Sequence, residues 1–60
     1  MTQQEIEDLH KVLNNMKTFG GGFASKLSDA WRHADRTNSD KLYSVFKNYY
    51  DKYHPNNFGS

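Results

Sequence analysis

Apolar side chains that return every three or four residues, three times over, restrict this chain to helices. Ile6, Leu9, Val12, Leu13 and Met16 form the first such series, the spacing of one face of an amphipathic helix. Thr2 followed by Glu5 fits a capping box, in which each side chain satisfies the other residue's free backbone amide. Glu5, Glu7 and Asp8 fall early and Lys11 and Lys17 late, the order that complements the helix dipole. Asn14-Asn15 weakens this helix and Gly20 stops it, giving a first helix over about residues 3–17.

The second series is Phe23, Leu27, Ala30, Trp31 and Ala34, with Ala24 in the same arc of roughly 120°. Its two alanines would let another helix approach closely. Lys26, Asp29, Arg32, His33 and Arg36 fall outside the arc, and a second helix is predicted over about residues 23–35. Thr37, Asn38 and Ser39 then offer N-caps, with Asp40 behind them. Leu42, Val45, Phe46, Tyr49 and Tyr53 mark a third helix over about residues 39–53, ended by Pro55. With Tyr43 and Tyr50 its apolar arc widens to roughly 160°, more than one buried stripe needs.

The expected fold is all-α: a small three-helix bundle, or a helical hairpin plus a third helix, completed by oligomerisation. Residues 1–54 read as one helical domain and residues 55–60 as a flexible tail. With 60 residues and no cysteine, disulfides and thiolate metal sites are excluded, and a core this small needs good packing or self-association. Eight Lys and Arg against seven Asp and Glu give a net charge of +1. That balance provides no strong field toward DNA, RNA or a membrane surface. No apolar run approaches the roughly 18 residues of a membrane span. The start is acidic and amphipathic rather than charged and then greasy, so no signal peptide is expected and the location is cytoplasmic.

Gly20-Gly21-Gly22 poses a choice between a phosphate cradle and a joint. A phosphate loop requires a strand before the glycines and Lys followed by Ser or Thr after them. Here a helix precedes, and Ser25-Lys26 stands in the reverse order. The preferred reading is a C-cap and sharp turn using glycine's left-handed conformations. The alternative is a nucleotide-phosphate site built from Gly20, Gly21, Gly22, Ser25, Lys26, Arg32 and Arg36.

No other chemistry stands out. His10, His33 and His54 sit on separate elements without ligand spacing, and Ser25, Ser28, Ser39 and Ser44 lack a recognisable base. An enzyme, a metal and a cofactor are not expected. Trp31 reads first as core. Tyr43, Lys47 and Tyr50 form a strip with the composition of a protein interface, and Trp31 is grouped with them as a candidate contact. The same rings, with Lys47, Arg32 and Arg36, offer weak single-stranded nucleic-acid stacking as a further alternative. Capping of a thin core by these rings is equally compatible with the pattern.

Phe23, Leu27, Ala30, Ala34-Asp35, Asn38, Leu42 and Phe46 follow the pattern Phe-x3-Leu-x2-Ala-x3-Ala-Asp-x2-Asn-x3-Leu-x3-Phe. This resembles small, mostly uncharacterised helical proteins encoded by bacteriophages and prophages. The upstream KTFGGG segment is similar too, so the resemblance spans residues 17–46. In that pattern proline often follows the last Phe, whereas Lys47 stands there in this chain. The resemblance implies a non-enzymatic protein in a bacterial host cell that binds a host enzyme or defence complex, or sequesters a signalling nucleotide. Asp35 and Asn38 are then expected to cap and turn the chain between the second and third helices.

Overall fold

The computed structural model describes residues 1–57; the remainder of the expected tail, residues 58–60, lies outside the described residues. The chain is all-α, with four helices and no strand among the described residues: α1 (Gln3–Phe19), α2 (Gly22–Arg32), α3 (Arg36–Val45) and α4 (Lys47–Lys52). The expected capping box is present. The Glu5 amide donates to Thr2 Oγ1 at 3.1 Å, and the Thr2 amide donates to Glu5 Oε1 at 2.7 Å. Asn15 does not fray α1, which runs on to Phe19. Its side-chain amide donates to the Tyr53 carbonyl at 2.9 Å, satisfying one of the acceptors left open where α4 ends.

α1 and α2 pair as the hairpin at the centre of the fold, and α4 returns to pack on α1. The core holds Leu9, Val12, Leu13 and Met16 from α1, Ala24, Leu27 and Trp31 from α2, Tyr50 from α4, and Tyr53 just after it. Ser28 is also buried, its hydroxyl donating to the Ser25 carbonyl at 2.8 Å. Satisfied in this way, a serine can occupy a core position at little cost. The buried stripe of α2 is therefore Ala24, Leu27, Ser28 and Trp31, rotated from the expected one. Phe23 is 59% exposed, and Ala30 faces outward.

α2 ends three residues earlier than expected and α3 begins three earlier. Asp35 is the N-cap, its carboxylate accepting the Asn38 amide at 2.8 Å. Asp35 and Asn38 thus turn the chain as anticipated, and Thr37, Asn38 and Ser39 lie inside the helix they were expected to cap. The anticipated third helix breaks at Phe46, whose φ of −111° and ψ of 31° leave the helical region. This break divides the overly wide apolar arc. Tyr43 and Tyr50 reach Glu5 on α1, while Phe46 and Tyr49 stack against Phe23 on α2. α3 buries no residue, and Val45, expected in the core, is 69% exposed.

The glycine joint is real, but not for the anticipated reason. None of Gly20, Gly21 and Gly22 takes up the left-handed backbone. Gly20, with φ of −75°, is the C-cap of α1. A side chain there would strike the Met16 carbonyl and Ala24 Cβ, each 2.5 Å from the position of a Cβ. The turn after His54 is tied down as well. The Asn57 side chain donates to the Asp51 carbonyl at 2.9 Å and the Asn57 amide to the His54 carbonyl at 2.8 Å.

Candidate functional site

The residues expected to meet a partner occupy two different environments. Trp31 is 2% exposed and Tyr50 4%, so both are core residues and neither offers a surface for contact. The Trp31 indole Nε1 donates to Ser39 Oγ at 2.9 Å, and Tyr50 Oη donates to the Glu5 carbonyl at 3.0 Å. Tyr43 is half-buried, donates its hydroxyl to Glu5 Oε2, and meets Tyr50 edge to face at 4.9 Å. Lys47 is exposed, paired with Asp51 at 2.9 Å, and lies 5.9 Å from the centre of the Tyr43 ring. The strip read from the sequence is the seam between α1 and the chain from Tyr43 to His54, and its rings are satisfied within the chain.

A second pair closes the same seam. Because Nδ1 of His54 accepts the Asn56 amide at 3.1 Å, the ring proton sits on Nε2 and is donated to Asp8 Oδ2 at 3.0 Å. Both ring nitrogens are thus engaged, and this Asp–His pair has none free to act as a general base. Among the described residues no group of three or more His, Cys, Asp or Glu is placed to hold a metal ion.

These contacts set the pH response. The Tyr43 hydroxyl holds the Glu5 carboxyl below its usual range, the His54 ring does so for Asp8, and Lys17 does so for Asp29. Carboxyls depressed in the folded state contribute stability above their unfolded pKa, and that contribution is lost as pH falls through about 4 and below. The tyrosines act in the opposite direction. The Glu5 carboxylate pushes the Tyr43 phenol up to about 12, and burial pushes Tyr50 up to about 12. Their contribution is complete below the unfolded value of 10.0 and declines as pH rises from there toward 12. Urea midpoints measured against pH, with tyrosinate absorbance followed in parallel, are expected to fall above pH 10. Tyr43→Phe is expected to flatten that decline; an unchanged alkaline slope would count against the Tyr43–Glu5 bond.

The residues of the alternative phosphate site do not converge. Gly20, Gly21, Gly22, Ser25 and Lys26 lie at or near the start of α2, whereas Arg32 is its last residue and Arg36 the first of α3. Ten residues of helix separate Gly22 from Arg32, roughly 15 Å at 1.5 Å per residue.

A different surface emerges between α2 and α3. A groove of about 370 Å³ is lined by Ala30, Ala34, Asn38, Lys41, Leu42, Val45 and Phe46. Beside it Phe23 packs against Phe46 and Tyr49, with ring centres 6.1 and 5.7 Å apart, and Phe46 and Tyr49 are 5.9 Å from each other. Phe23 and Val45 are both mostly exposed, so this is a connected apolar surface rather than isolated rings. The alanines expected to admit a neighbouring helix do line an open groove. The sequence reading missed Phe23 and Val45 because their helical spacing matched a core stripe.

No helix among the described residues is long and apolar enough to cross a membrane. Comparison of the chain with protein-family models, curated proteins and solved structures gives no match in any of the three.

Proposed function

We propose that this chain is a non-enzymatic binding protein that acts by protein–protein contact through the α2–α3 groove and the Phe23–Phe46–Tyr49 cluster beside it. One observation carries the reading: large apolar side chains remain outside on a chain whose core is already closed. Phe23 and Val45 stay exposed while Trp31, Tyr50 and Tyr53 fill the interior. A contiguous apolar surface rimmed by polar groups is the composition of a contact site. On the resemblance read from the sequence pattern of residues 17–46, the proposed target is a host protein, such as an enzyme or defence complex.

The test uses the exposed positions. Val45→Ser is a surface change expected to alter stability by about 0.5 kcal/mol or less, and Phe23→Ser, which gives up ring contacts with Phe46 and Tyr49, by about 1–3 kcal/mol. The tagged protein and each variant are passed over bacterial lysate, and captured partner is quantified beside circular-dichroism melts. Capture by the variants is expected to drop at least about tenfold, the effect of losing roughly 1.4 kcal/mol at an interface. Equal capture by wild type and both variants would overturn the reading.

A further inference from the structure

We infer that the occupant of the α2–α3 groove is an amphipathic helix of a partner protein carrying acidic residues beside its apolar stripe; this rests on the protein-contact reading above. The apolar lining of the groove is Ala30, Ala34, Leu42, Val45 and Phe46. Small residues on one wall and larger ones on the other leave room for a helix to lie between ridges. α3 is ten residues long, about 15 Å, so it spans about three turns of a partner helix. That length admits anchors at i, i+3 or i+4, and i+7, the pattern of helix-in-groove recognition.

The charge around the groove selects the partner's chemistry. Lys41 lines it and Lys26 lies one helical turn before Ala30, while no acid is among the lining residues. The near-neutral total conceals this asymmetry, because most acids are already engaged. Glu5 binds Tyr43, Asp8 binds His54, Asp29 binds Lys17, Asp35 caps α3, Asp40 meets the amino terminus and Asp51 meets Lys47. Asp29 feels the charge of Lys26 but is hydrogen-bonded to Lys17. Among the described residues no acid forms an ion pair with Lys26 or Lys41.

A second copy of this chain fits the groove less well. An isologous contact brings the same patch together from both sides, adding a second set of unpaired lysines to the first. Like charges brought together suppress that pairing, and carboxylates flanking an apolar stripe relieve it.

A display library of helical peptides, unbiased between acidic and basic residues at its polar positions, tests the assignment when selected on the intact protein. Wild type is expected to enrich Leu, Met or Phe at one-turn spacing flanked by Asp and Glu. The double variant K26E/K41E, checked for an unchanged melt, is expected to bind the best acidic peptide at least tenfold more weakly and to enrich Lys and Arg in its own selection. Peptides with no acidic bias, or equal affinity for the double variant, would overturn the acidic assignment and leave the protein-contact reading standing. Enrichment no greater than on Val45→Asp protein would remove the groove as a helix site. A concentration-dependent dimer that dissociates in Val45→Asp would assign the groove to a second copy and overturn the inference as well.

Discussion

Replacing Trp31 with alanine is expected to remove most of this chain's stability at 25 °C. Trp31 is 2% exposed on the last turn of α2, and its Nε1 donates to Ser39 on α3 at 2.9 Å. α3 contributes no buried residue of its own, so this ring and its bond are a main tie between the central hairpin and the third element. Truncating a buried tryptophan to alanine typically costs about 3–5 kcal/mol. At about 0.05–0.15 kcal/mol per residue, a 60-residue chain has roughly 3–9 kcal/mol in total. The loss is therefore comparable with the whole stability. Circular dichroism at 222 nm and urea titration are expected to show a broad, low-amplitude transition for Trp31→Ala. Trp31→Phe, which keeps a ring and gives up the indole donor, is expected to fold with about 1–3 kcal/mol less stability, combining lost volume with a lost hydrogen bond. Cooperative unfolding of Trp31→Ala within about 1 kcal/mol of wild type would refute this tie.

The helices were legible where one local device acted without a competitor. Thr2 and Glu5 had no rival as a capping box, and α1 begins where they put it. Boundaries failed where several residues could do the same job. Asp35, Thr37, Asn38 and Ser39 are all capable N-caps, and only the three-dimensional turn after Trp31 selects the first of them. The break at Phe46 has no glycine or proline to announce it. Its one trace was an apolar arc too wide for a single straight helix, which bending resolves by giving the chain two faces.

The candidate site was the least legible part. The stripe containing Phe23, Leu27 and Ala30 and the stripe containing Ala24, Leu27, Ser28 and Trp31 overlap on one helix, and composition favours the first. Ser28 can enter the core because its hydroxyl binds the Ser25 carbonyl, a contact no spacing rule reveals. That rotation moves Phe23 and Ala30 outward and creates the groove. For Tyr43 and Tyr50 the pattern left an interface strip and the edge of the core equally open. What decides between them is Glu5, 38 and 45 residues away in the chain, which accepts both hydroxyls, a contact that helical spacing does not reveal.

Gly20→Ala and Gly22→Ala, substitutions of the same kind two positions apart, are expected to change stability in opposite directions. The backbone at Gly20 is open to any residue, with φ of −75° and ψ of 158°, so conformation does not require glycine there. Space does. An added methyl would lie 2.5 Å from the Met16 carbonyl oxygen and 2.5 Å from Ala24 Cβ. That oxygen accepts the Gly20 amide at 3.0 Å in the final turn of α1, and Ala24 is buried against it on α2. Neither neighbour is the flexible end of a long side chain. Relief requires α1 and α2 to separate along the pairing that builds the core, at a cost of about 1–3 kcal/mol for overpacking. At Gly21 and Gly22 a methyl meets nothing within 4 Å and φ is not in the left-handed range. Alanine at Gly22, inside α2, is expected to stabilise by about 0.4–1 kcal/mol, by narrowing the unfolded ensemble, whereas at Gly21, the N-cap of α2, alanine's poor capping offsets that gain. Urea denaturation of the three variants reads the difference in sign directly. Three near-neutral variants would mean that the helices do not meet closely at Gly20, and the glycines would then need another explanation, such as the approach of a ligand. Loss at Gly20 with gain at Gly22 makes this stretch a steric joint between α1 and α2.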